Sequence, residues 1–102
     1  MTYVLINTFH AKPGRSNELL DLQIKAAREL GPAAQGLGWR GNRIHRALGS
    51  EAIIIVTVFE SAEAQQQWAR SQAFADHRAE LEPLVERVQS VACELVASSG
   101  EQ

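Results

Sequence analysis

Residues 52–59 read AIIIVTVF, set between a Gly49-Ser50 turn and Ser61. A strand in an antiparallel sheet with one wet face alternates apolar and polar side chains. Here Ile53, Ile54, Ile55, Val56 and Val58 put apolar groups on both faces. Residues 3–10, YVLINTFH, do the same at Val4, Leu5 and Ile6 and stop at the turn Lys12-Pro13-Gly14. Two strands that are apolar on both sides need cover above and below.

Working outward, Ser16 or Asn17 can cap a helix running to residue 30, striped by Leu19, Leu20, Ile24, Ala27 and Leu30, with Gly31-Pro32 as its stop. Residues 39–48, WRGNRIHRAL, read as a second strand. Ser61 caps a short helix over 62–70. A second helical stretch over 73–87 aligns Phe74, His77, Leu81, Leu84 and Val85, and 88–96 closes the chain as a strand. The order is β-α-β-β-α-β with its second helix broken: an α+β, ferredoxin-like antiparallel sheet. Helices on one face leave the other bare. The simplest cover is the same face of a second copy, so a homodimer is expected. The alternative cover, a folded-back C-terminal tail, is short and polar. The domain spans 1–97 and a frayed tail 98–102.

Composition agrees with one small globular unit. The chain has 102 residues, 45% hydrophobic and 22% charged, and a mass of 11.2 kDa, enough for one core but not for a large closed cavity besides. A net charge of -2 argues against nucleic acid as partner. The single cysteine, Cys93, excludes an internal disulfide and a cysteine metal cage; within an apolar strand it reads as inert. No apolar run reaches membrane-spanning length, and MTYVLINTFHAKPG lacks a basic leader. A reducing cytoplasm is the expected compartment.

Three residues stand out chemically. Strand parity puts Asn7 on the face of Tyr3, Leu5 and Phe9, where a buried amide must find a partner or lose about 1–3 kcal/mol. It either bonds a neighbouring loop or points a donor into a pocket. Trp68 is either core or the wall of a site for a flat ligand. His77 is either core, a proton-transfer group near neutral pH, or an axial metal ligand. Trp68 and His77 are nine residues apart, two and a half turns of an unbroken helix, which sends them to opposite sides. They converge only if the helix breaks, and Arg70-Ser71-Gln72 is where a break fits. The string Gly36-Leu37-Gly38-Trp39-Arg40-Gly41 matches GxGxxG, but with a helix before and a strand after, the reverse of a dinucleotide site. Arg40, Arg43, His45 and Arg46 read as a charged edge, and His10 lacks an evident partner. No Ser-His-Asp order, HExxH string or phosphate loop is present.

Asn7, Trp68 and His77, the Lys12-Pro13-Gly14 turn, GWRGNRIHR and VTVFESAEAQQQWARSQAF together resemble the antibiotic biosynthesis monooxygenase superfamily of dimeric α/β barrels, from residue 3 to about 96. The resemblance implies a homodimer and one of two chemistries. Cofactor-independent members oxidise anthrone-like, naphthacenone-like or quinol substrates with molecular oxygen. Haem-degrading members share an Asn on the first strand, a Trp in the second helical region and a His after it. By that likeness Asn7 would steer oxygen, Trp68 would press on the porphyrin, and His77 would be the axial ligand. Arginines that meet haem propionates in some of those relatives correspond here to Leu22 and Ala26, an apolar face better suited to a neutral polycyclic phenol. The family's Pro-Gly-Phe at the second strand is Leu37-Gly38-Trp39 here, which adds an indole. The expected activity is therefore cofactor-independent monooxygenation of a small reduced aromatic, with Asn7, Trp68 and His77 catalytic and Tyr3, Leu22, Ala26, Trp39 and Phe74 contacting substrate. No metal or other cofactor is expected. The alternatives are haem degradation through His77 and a non-catalytic binder.

Overall fold

The computed structural model describes residues 2–100. Strand β1 (Tyr3–Ala11) leads to helix α1 (Ser16–Gln35). A hairpin follows, β2 (Trp39–Arg46) and β3 (Ala52–Phe59). Helices α2 (Ala62–Ala69) and α3 (Gln72–Leu81), a single 3-10 turn (Glu82–Leu84) and β4 (Val85–Glu94) complete the domain. The four strands lie in the order β2-β3-β1-β4, and every pairing is antiparallel. This is the expected ferredoxin-like topology.

Register divides the sheet into two faces. Asn7 lies opposite Ile55 on β3 and Ser90 on β4. With Leu5, Phe9, Ile53, Thr57 and Phe59 these side chains form the inner face. The core sits there: Phe9, Ile53 and Ile55 pack with Leu19 of α1 and with Leu81 and Leu84 from the end of the helical region. The outer face carries Val4, Ile6, Ile54, Val56 and Val58, with Val91 alongside on β4. The tail does not shield it. Residues 95–100 form no helix or strand, Val96 is 87% exposed, and Val91 stays 57% exposed. Of the tail expected over 98–102, residues 101 and 102 lie outside the described residues.

Several boundaries differ from the sequence reading. Helix α1 runs through Gly31-Pro32 to Gln35. Pro32 is exposed, and its missing N–H leaves one carbonyl without a helical partner. Gly31 is buried under an indole: a Cβ there would lie 3.4 Å from the Trp39 ring. Packing of β2 onto the helix thus holds the last turn, and Gly31 is a seat rather than a stop. The N-cap is Arg15, without a side-chain cap, in place of Ser16 or Asn17. Strand β2 ends at Arg46, and the Ala47 N–H donates to the Ala52 carbonyl to close the hairpin. Helix α3 stops at Leu81 instead of reaching 87, since Pro83 cannot donate to the helix. Leu84 and Val85 leave the helical stripe: the Leu84 carbonyl accepts from Lys12 N–H at 2.9 Å, and Val85 opens β4 opposite Ala11.

Candidate active site

The helical break brings the candidate residues together. Ser71 does two things at one position. Its Oγ accepts from the Phe74 N–H at 3.1 Å, capping α3, and donates to the Trp68 carbonyl at 2.7 Å, closing α2. Each contact satisfies a backbone group that a helix end leaves open. Trp68 and Phe74 then meet edge to face, with ring centroids 6.1 Å apart. The chain turns between them, and Trp68 and His77 reach the same space.

That space is a cavity of about 880 Å³ between the helices and the inner sheet face, within the range of sites for organic ligands. Asn7, Trp68 and His77 all line it, as do Ala26, Trp39 and Phe74. Leu5, Ile55 and Phe59 form the sheet wall, and Leu30 and Ala34 the α1 wall. Two expected contacts fall outside. Tyr3 shares the inner face but sits at the end of the strand, edge-on to Phe59 at 6.3 Å. Leu22 turns to the hydrophobic core instead of the cavity.

Two polar pairs are held within the lining. Ser90 Oγ donates to Asn7 Oδ1 at 2.5 Å, which leaves the Asn7 amide N–H groups as the donors. His77 Nε2 is 3.1 Å from Gln23 Oε1. Gln23 is buried at 5% exposure, and its own Nε2 has no partner. Burial pushes the His77 pKa below its ordinary value, against a smaller upward pull from Glu80. Burial thus favours the neutral ring, the form able to accept a proton.

Sequence reasoning missed Gln23 and Ser90. Gln23 stands four residues after Leu19 and four before Ala27, a polar interruption of the apolar stripe that could have marked it. Ser90 carries no such signal, because only strand pairing sets it beside Asn7. His10, expected without a partner, bonds the Gln89 amide at 3.0 Å. Gly38 belongs to no phosphate site: its φ is +92°, and a Cβ there would lie 2.6 Å from that of Ala64. Among the described residues, no group of three or more His, Cys, Asp and Glu could hold a metal ion. Among the described residues, no helix is long and apolar enough to cross a membrane.

The profile of one family, antibiotic biosynthesis monooxygenase, matches residues 2–80. The chain belongs to this family. Solved structures agree at the level of fold. SnoaB, a cofactor-independent oxygenase from Streptomyces nogalater, superposes with a TM-score of 0.79 at 14% identity over 98% of each chain. Rv0793 from Mycobacterium tuberculosis gives 0.79 at 16% identity over 98% of this chain and 100% of its own. PA3566 from Pseudomonas aeruginosa gives 0.73 at 17% identity over 94% and 95%. No curated protein matches the sequence. This antibiotic biosynthesis monooxygenase fold is the dimeric α/β barrel expected from the sequence.

Haem, which some members of the superfamily take, fits this cavity poorly. Two propionates want a cationic rim. Among the described residues lining the cavity, Arg78 is the single cationic side chain, and the α1 wall is built from Ala26, Ala27 and Leu30.

Proposed function

We propose that this protein is a cofactor-independent monooxygenase that oxidises a reduced polycyclic aromatic, anthrone-like or quinol-type substrate with molecular oxygen. One observation carries the reading: an imidazole held by Gln23 and an amide held by Ser90 share a cavity lined mostly by apolar and aromatic side chains. An apolar pocket with a few convergent polar groups suits a flat, oxygenated ring system. The likeness of fold to SnoaB points the same way.

The chemistry balances without a cofactor. His77 takes a proton from the substrate's activated carbon or phenol, leaving an electron-rich anion. The Asn7 N–H groups hold the substrate oxygen on which that charge builds. Trp68 covers the ring and keeps water out. The anion passes electrons to oxygen, a C–O bond forms, and the resulting peroxide loses water to leave a carbonyl. For a ring methylene, the substrate and one molecule of oxygen give the ketone and one molecule of water. The carbon loses four electrons and oxygen gains four, so the substrate is the sole reductant. The working unit is a homodimer, in which the outer sheet face of a second copy covers this one.

The test is oxygen uptake with anthrone and with a hydroquinone, without added metal, flavin or nicotinamide. Uptake matched to quinone formation, with one labelled atom from isotopically heavy oxygen gas in the anthrone product, is the expected result. A saturable Soret band on haem titration that His77→Ala abolishes, followed by haem breakdown with a reductant, would replace this reading with haem degradation. Tight aromatic binding without oxygen uptake would make the protein a binder.

A further inference from the structure

The wall that α1 presents to the cavity is apolar except at Gln23. A glutamine buried to 5% exposure is costly unless bonded. Its Oε1 is an acceptor 3.1 Å from His77 Nε2, so that nitrogen must bring a proton to make the bond. The neutral ring has one proton to place. We infer that Gln23 holds His77 in the Nε2–H tautomer, so that Nδ1 is the nitrogen that accepts the substrate's proton. Gln23 is a positioning residue: it acts through His77, much as a buried acceptor orients the base in other sites. The arrangement leaves Gln23 Nε2 buried without a partner, and turning the amide over would instead leave Oε1 unpaired and make the ring nitrogen the acceptor. The kinetic half of this inference rests on the proposed oxygenase activity; the tautomer half stands on the geometry alone.

Long-range proton–nitrogen correlation spectra of the full-length, nitrogen-labelled protein read the tautomer directly. Signals of His77 are those lost in His77→Gln. The expected wild-type pattern is a protonated Nε2 and a bare Nδ1. Gln23→Met, of similar volume but without an acceptor, should lose that preference, with both nitrogens moving toward averaged shifts. Gln23→Glu, which keeps the acceptor, should restore it. A wild-type pattern with the proton on Nδ1 overturns the inference, because the amide is then turned to donate to the ring. An unchanged pattern in folded Gln23→Met also overturns it, and should that variant not fold, the wild-type spectrum still decides. With anthrone, Gln23→Met is expected to lower kcat/KM on the order of tenfold or more while Gln23→Glu retains most of it. An Nε2–H pattern in a protein inactive on anthrone would leave the tautomer standing and remove the oxygenase reading instead.

Discussion

At the residue scale, one proton on His77 bears on stability and, in the proposed reaction, on activity. Burial lowers its pKa in the folded chain below the 6.5 of the free side chain, so the unfolded chain binds more protons between the two values. Its contribution to stability is present above pH 6.5 and is lost as the pH falls through the folded pKa. Thermal melts from about pH 5 to about pH 8 should show a fall in Tm on acidification that His77→Gln flattens. His77→Ala should lower kcat/KM with anthrone by about 10²–10⁴, the range of a general base. Ser90 is exposed and bonds Asn7, so Ser90→Ala is expected to leave Tm within a degree or two. Its kcat/KM should drop about 2–10-fold, the worth of one net hydrogen bond. Gly38 is the opposite case. With φ at +92° and Ala64 2.6 Å from a Cβ, Gly38→Ala combines backbone strain with overpacking. Denaturant unfolding should report a loss of about 2–5 kcal/mol.

At the scale of elements, the break between α2 and α3 brings Trp68 and His77 to one cavity. At a nine-residue spacing Trp68 and His77 can converge only across such a break, and it occurs at Ser71, within the expected Arg70-Ser71-Gln72. The extent of α3 was less legible, because Leu84 and Val85 continue a helical stripe until Pro83 and the pairing of Val85 with Ala11 claim them. Ser71→Ala removes the cap of α3 and the donor to Trp68 together. It should cost about 1 kcal/mol in denaturant melts. It should also weaken binding of a polycyclic phenol, followed by quenching of tryptophan fluorescence, because Trp68 is no longer held opposite His77. Ser71→Asp, which keeps the capping acceptor, should recover the stability.

At the scale of the whole molecule, the outer sheet face decides the assembly. Val4, Ile6, Val56 and Val58 line one surface, with Val91 57% exposed beside them. A contiguous apolar sheet face seeks a partner. Light scattering at micromolar concentration should give twice the 11.2 kDa chain mass, and Ile6→Lys should shift the population to monomer. A stable wild-type monomer would sink the barrel. The cavity lies on the opposite, helix-covered face, so the tautomer of His77 should survive in the monomeric variant.

Contiguous patterns in the sequence determined a great deal: two strands apolar on both faces, the Lys12-Pro13-Gly14 turn, the Ser61 cap, the helical break, and hence the topology and a cavity shared by Asn7, Trp68 and His77. These signals are local, since a period of two or 3.6 residues or a capping serine is written in neighbouring positions. What held the candidate residues in place was decided by tertiary structure. Gln23 meets His77 across 54 positions of chain and Asn7 meets Ser90 across 83. Pro32 stays helical because Trp39 packs on Gly31. Such contacts depend on which surfaces bury each other once the sheet has formed, and that energy belongs to the packed molecule rather than to any stretch of it.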